Sequence, residues 1–142
     1  MRSTYRVLAM LIAIGVVVQA AFIAWGVFDI AHNTDDGQVF DKNTDNAGLL
    51  AHGVVGDTLI PLLALVLLIL SFFARIPGGV KWAAITFGVV VLQVLLAFVG
   101  HGVPLLGMLH GINAFALAAV ASIAMRKARV AGAAEAAAPV SA

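Results

Sequence analysis

The sequence contains no cysteine and few charged residues, and both shortages narrow the classes of protein it can belong to. Without cysteine, the 142-residue chain can form no disulfide, thiolate metal site, iron–sulfur cluster or covalently attached c-type haem. Charged residues make up only 11% of it against 63% hydrophobic residues, and its mean hydropathy is +1.08. These values lie outside the range of soluble globular domains and within that of membrane proteins.

Motifs of independent catalysis are also missing. We find no nucleophilic triad, no phosphate-binding loop and no convincing cluster of protein metal ligands. The sequence therefore predicts that the chain is not an enzyme in its own right. It also predicts no catalytic residues, no metal beyond a haem iron and no nucleic-acid partner.

What the sequence does have is long apolar runs. Four of them are each long enough to cross a bilayer as a helix, which takes about 20 residues. They span residues 7–28, 49–73, 82–99 and 103–125. We predict an all-α fold: a four-helix transmembrane bundle formed by residues 1–129. An outer loop at 29–48 joins the first two spans, and a disordered cytoplasmic tail follows at 130–142.

The charged residues are divided between the two ends of the predicted bundle. Those flanking the runs on one side are basic: Arg2, Arg6, Arg75, Lys81, Arg126, Lys127 and Arg129. On the other side Lys42 stands alone among the aspartates of the 29–48 loop. The positive-inside rule then predicts both termini in the cytoplasm and four crossings of the membrane.

Polar side chains inside the apolar runs are the main candidates for function. Counted inward from the outer end of each span, six of them fall within one slab of the outer half of the bilayer: Gln19, His52, Asp57, Gln93, His110 and Asn113. Because lipid offers a polar group no hydrogen-bond partner, we expect all six to turn inward and satisfy one another. The sequence therefore predicts a polar layer inside the bundle.

The two histidines of this layer are candidate ligands of a b-type haem. Such a site needs two neutral imidazoles at similar depth on facing helices, with small residues beside the ring. Glycines accompany both: Gly53 follows His52, while Gly107 and Gly111 flank His110. Gly107 and Gly111 could instead serve helix packing through a GxxxG motif. Each histidine could equally hydrogen-bond a neighbouring helix and fix its packing.

Asp57 is costly inside a membrane, by about 2.5–3.5 kcal/mol when charged. It could be a proton or cation site, or an acceptor that orients a histidine. It could also be a protonated or hydrogen-bonded carboxyl assisted by Thr58. Pro61, one turn later, removes a backbone hydrogen bond and predicts a kink in the second span.

Two segments resemble known membrane proteins: AHGVVG at 51–56, and the LQ…LHGINA pattern from Leu92 to Ala114. Together they resemble an uncharacterised family of small four-helix bacterial membrane proteins, and they are distantly similar to one half of haem A synthase. The resemblance implies a protein of the bacterial inner membrane with a haem site at His52 and His110. It departs from the synthase at Leu49, where that pattern has a glutamate, and at Gly53, which replaces an arginine.

Three functions remain open, and we rank them as follows. First is a non-catalytic accessory or stabilising subunit of a larger membrane complex, such as a transporter or respiratory assembly, partnered by that complex or by further copies of the chain. Second is a b-type haem electron-transfer protein with bis-histidine ligation, the cofactor itself being undetermined by the sequence. Third is a small transporter that uses Asp57, ranked last because four helices leave little room for alternating access.

Overall fold

A computed structural model describes residues 1–41 and 43–136, and these residues contain helices and turns but no strand. The helices are α1 (Arg2–Asp35), α2 (Ala47–Val54), α3 (Ile60–Ser71), α4 (Gly79–Gly102) and α5 (Pro104–Ala136), with a π turn (Val55–Leu59) between α2 and α3. Since α2, the π turn and α3 run on as one span, four helices are long and apolar enough to cross a membrane. The predicted all-helical, four-span fold is confirmed.

Two helices extend well beyond the predicted spans, and α4 exceeds its span by three residues at each end. α1 continues through 29–35, which we had assigned to the outer loop, and it stops just before Gly37, whose φ is +84°. Glycine adopts this left-handed conformation readily and commonly follows a helix end. α5 continues to Ala136 because its last residues are mostly alanine, the strongest helix former. The rest of the predicted tail, 137–142, lies outside the described residues.

The four spans form a ring in which each has two neighbours. α1 packs against α5 and against the second span, while α4 packs against α5 and α3. The second and fourth spans are therefore diagonal to each other. α3 contacts both α1 and α4, but α2 packs mainly on α1. We call the space that separates α2 from α4 the wedge.

The wedge lies at one end of the bundle, and the apolar core occupies the other. We call these the loop end (residues 36–46 and Val103) and the terminal end (Met1, residues 72–78 and Ala136). The core is rich in alanine, which lets helices approach closely, as is usual in membranes. It contains Tyr5, Ala9 and Ile12 of α1, Ala64 and Leu67 of α3, Ala83 and Val90 of α4, and Leu117, Ala121 and Ala124 of α5.

Glycine pairs hold the helices together at the loop end. A Cβ added to Gly48 would lie 2.7 Å from the Gly26 Cα and 2.8 Å from the Phe22 carbonyl oxygen. A Cβ added to Gly100 would lie 2.9 Å from the Gly107 Cα. The backbone of α1 thus touches that of α2, and the backbone of α4 touches that of α5, and there is no room for a side chain at Gly48 or Gly100.

Asn46 closes the first of these hairpins. Its side-chain oxygen accepts a hydrogen bond from the Leu49 N–H at 2.8 Å, which caps α2. Its amide donates to the Gly26 carbonyl at 3.1 Å and to the Asp29 carboxylate at 2.8 Å. One buried side chain therefore caps one helix and ties it to the other.

Candidate functional site

His52 of α2 and His110 of α5 meet across the bundle although their spans are diagonal. The centroids of the two imidazole rings are 6.0 Å apart and the ring planes are inclined by 65°. Both side chains are half-buried. The meeting point lies beside the wedge, in the loop-end half of the bundle, where the apolar core gives way to polar groups.

Each histidine is held through its Nδ1 atom by a neighbouring helix. His52 Nδ1 lies 3.1 Å from the Gln19 carbonyl oxygen on α1. His110 Nδ1 lies 2.9 Å from the Gln93 carbonyl oxygen on α4. Because a carbonyl oxygen only accepts, the proton of a neutral imidazole sits on Nδ1 in both cases and the lone pair sits on Nε2. Metal-binding histidines commonly adopt this tautomer and this type of second hydrogen bond.

On the α4–α5 side, the polar groups satisfy one another. The Gln93 side-chain amide lies 3.1 Å from His110 Nε2 and donates to the His110 carbonyl at 3.0 Å. Asn113, which is buried, donates to the Gln93 side-chain oxygen at 2.7 Å and to the Val89 carbonyl at 3.1 Å. His110 Nε2 therefore already accepts a hydrogen bond.

The α1–α2 side differs. Within the described residues, the side-chain nitrogen and oxygen of Gln19 are both buried without a hydrogen-bond partner. A Cβ at Gly56 would come within 3.0 Å of that nitrogen, so the amide lies against the glycine. An unpaired buried polar group costs about 1–3 kcal/mol. The unpaired Gln19 amide beside His52 can therefore form a hydrogen bond with a further polar group, such as one on a ligand.

Asp57 departs from the predicted layer, because its side chain is exposed on the outside of the bundle. Pro61 has no N–H, and its ring crowds the carbonyl four residues earlier, which is that of Asp57. The chain widens into the π turn, where the Ile60 N–H bonds to the Val55 carbonyl. The extra residue in this turn changes the direction of the residues within it. Asp57 makes no hydrogen bond or salt bridge to any described residue.

The two glycines predicted to pack the fourth span behave differently. Gly107 contacts Gly100 of α4. Gly111 is exposed, and a Cβ there would meet nothing within 4 Å. The close approach therefore comes from a pair on two helices and not from a GxxxG motif on one. Gly26 of α1 and Gly48 of α2 form a second pair of this kind, and no motif in the sequence marks them.

The two hairpins repeat one arrangement. Gln19 lies seven residues before Gly26, and Gln93 lies seven residues before Gly100. In each hairpin the glycine touches a glycine of the next span, and a histidine follows shortly after and bonds back to the glutamine carbonyl. The equal spacing of glutamine and glycine in the two hairpins is the sequence signal from which this repeat can be recognised. The carbonyl contacts themselves leave no trace in the sequence.

Two imidazoles limit the kind of metal this site can hold. The described residues contain no group of three or more His, Cys, Asp or Glu side chains able to hold a metal ion. A zinc site takes three or four protein ligands. A haem iron needs only one or two ligands from the protein, since the macrocycle supplies the rest.

Comparisons of the chain with protein-family models, curated proteins and solved structures find no match. The geometry of the site must therefore carry the functional argument.

Proposed function

We propose that this protein is a membrane-embedded b-type haem protein in which His52 and His110 would hold the haem iron. The observation that carries the proposal is the approach of the two rings to 6.0 Å, with each Nδ1 facing a backbone carbonyl. Metal–imidazole bonds are about 2 Å long. One iron between two imidazoles leaves the ring centroids roughly 6 Å apart.

The surroundings of the two rings fit the group. α2 is separated from α4 by the wedge, and a Cβ at Gly53 would meet nothing within 4 Å, so a flat macrocycle has a side from which to enter. The orphaned Gln19 amide can donate to a polar edge. One hydrogen bond would have to be given up, that between the Gln93 side-chain amide and His110 Nε2. The bond from His110 Nδ1 to the Gln93 carbonyl would remain.

A bound haem b would supply one-electron transfer. The chain's own residues hold both imidazoles in the ligating tautomer and fix the orientation of each ring through the carbonyls of Gln19 and Gln93. The apolar helices keep the local dielectric low. Leu49 and Gly53 stand where the resembled synthase pattern has glutamate and arginine, and this difference favours an electron carrier over a catalyst.

We place the protein in a bacterial inner membrane with its terminal end in the cytoplasm. The support is the positive-inside rule, since the basic residues cluster at that end and the aspartates at the loop end. His52 and His110 then lie in the outer half of the bilayer.

A reduced-minus-oxidised visible spectrum of the purified, haem-supplied protein tests the proposal. We expect the α band of a b-type haem in the wild type and its loss in His52→Ala and in His110→Ala. His101→Ala is the matched control: His101 is exposed at the loop end, and among the described residues its side chain bonds only to the Ala97 carbonyl of its own helix. Added imidazole should restore the band in His52→Gly, because it refills the vacated ligand position.

Two outcomes would overturn the haem proposal. One is a folded, haem-supplied wild type without a Soret or α band. The other is a band that survives both histidine substitutions. In either case the histidines serve only to join helices, through the hydrogen bonds described above.

A second function is favoured by Asp57: an accessory subunit that docks to a larger membrane complex. Asp57 lies among exposed apolar residues of the second span, including Val54 (56% exposed) and Leu62 (54%). A carboxylate facing lipid costs about 2.5–3.5 kcal/mol. A partner helix that offers a cation or a hydrogen-bond donor would remove this cost.

The size of the assembly extracted from native membranes in mild detergent tests the docking function. We expect the wild type and Thr58→Val, the adjacent exposed control, to elute in one larger complex. Asp57→Leu should elute as the free 14.6 kDa chain in its detergent micelle. A wild type that itself elutes as the free chain would exclude a stable complex.

A further inference from the structure

We propose that the terminal end of the bundle binds the phosphate group of an anionic phospholipid in a groove between α1 and α5. The groove encloses about 340 Å³. Arg2 and Arg6, one turn apart on α1, form one wall, and Arg129 of α5 belongs to the other. Small residues line the α5 side and leave room between the guanidinium groups: Ala128, Gly132 and Ala133.

The charge of the groove favours an anion. Three arginines line the groove, and the only carboxylate that pairs with any of them among the described residues is that of Glu135, which contacts Arg2. Arg2 also donates to the Arg75 carbonyl at 3.3 Å, so its position is fixed on two sides. Arg6 and Arg129 have no hydrogen bond or salt bridge within the described part of the chain. Two planar forks therefore remain free for phosphate oxygens, which guanidinium groups bind in a bidentate manner.

The level of the groove favours a lipid over a free anion. The apolar run of α1 begins at Val7, directly after Arg6, so the arginines lie where headgroups meet the hydrocarbon. Val7 and Met10, each four residues after a groove residue of α1, are 40% and 38% exposed. Residues four apart share a helix face, so acyl chains can run along α1 below the bound phosphate.

Native mass spectrometry of the full-length protein in nanodiscs tests this inference. The discs contain phosphatidylcholine with a minor fraction of phosphatidylglycerol, and the measured quantity is the phosphatidylglycerol retained per protein. The test variant is Arg6→Gln with Arg129→Gln. The control is Arg126→Gln with Lys127→Gln. It removes the same number of positive charges from the terminal end of the bundle, at residues that do not line the groove.

We expect the test variant to retain phosphatidylglycerol about tenfold more weakly than the control, since two charge-assisted contacts are lost. Equal retention by the two variants would overturn the inference, as would equal retention of phosphatidylcholine by the wild type. A third arm adds inorganic phosphate to protein in neutral detergent. Thermal stabilisation by phosphate as large as that by phosphatidylglycerol would show that the groove binds a free anion. It would overturn the inference that the ligand is a lipid.

Glu135→Gln keeps the inference testable if the arginine variant does not fold. Glu135 is exposed on the last turn of α5, and its removal frees Arg2 for the ligand. We expect Glu135→Gln to retain more phosphatidylglycerol than the wild type. Unchanged or lower retention would contradict the role of Arg2 in the groove.

Discussion

The contact between Gly26 and Gly48 predicts that a single methyl group at position 48 will weaken the α1–α2 hairpin. Replacing a helical glycine by alanine alone stabilises a helix by roughly 1 kcal/mol. At Gly48, however, the new Cβ would lie 2.7 Å from the Gly26 Cα and 2.8 Å from the Phe22 carbonyl oxygen. Both neighbours are backbone, so the helices must move apart. Overpacking of this kind costs about 1–3 kcal/mol.

Gly53 provides the control, because it lies on the same helix and a Cβ there meets nothing within 4 Å. Gly53→Ala keeps the gain in helix propensity without the clash. The difference between the two variants therefore isolates the packing cost. In equilibrium unfolding of the haem-free protein in mixed micelles, we expect Gly48→Ala to be less stable than Gly53→Ala by about 1–3 kcal/mol. Equal stability of the two variants would refute the close approach of α1 and α2.

Three further predictions concern hydrogen bonds at the two ends. Asn46→Ala removes the cap of α2 and should lower the free energy of unfolding by about 1–2 kcal/mol, whereas Asn46→Asp, which keeps the accepting oxygen, should lose less. Tyr5→Phe removes the buried donor to the Gly79 carbonyl at 2.8 Å and should cost about 1 kcal/mol in the same assay; no change would contradict that bond. In the loop, the Asn43 backbone N–H holds the pKa of Asp41 below its ordinary value of 3.8. The stabilisation by Asp41 is therefore complete above that value and is lost as the pH falls through the folded pKa, and an NMR titration giving 3.8 or more would exclude it.

The sequence predicted the spans well because their signal is local. A run of some 20 apolar residues is a helix in lipid whatever its neighbours are, since no other structure satisfies its backbone. The same counting placed His52 and His110 at similar depth, and the structure brings their rings to 6.0 Å. Their role as haem ligands stays a prediction.

The features that could not be predicted from the sequence depend on contacts between helices and on the π turn in the second span. The inward direction expected of Asp57 assumed a regular helix, and the π turn before Pro61 removes that assumption. The tether on His52 is a backbone carbonyl, which every residue of α1 possesses, so nothing in the residue types selects Gln19. Polar residues begin at Asp29 and predict a loop there, but in the structure they continue α1 as far as Asp35, because a helix can extend beyond its apolar run.

The near-equivalence of the two hairpins explains why one half of the site is satisfied and the other is not. Three residues after His110 stands Asn113, which binds the Gln93 side chain. Three residues after His52 stands Val55, which has no polar atom to offer Gln19. Gln19 is left with an unpaired amide, and His52 Nε2 makes no hydrogen bond to any described residue. The His52 side is therefore the side on which a further polar group can be received without breaking a protein hydrogen bond, whereas on the other side the Gln93 amide already occupies His110 Nε2.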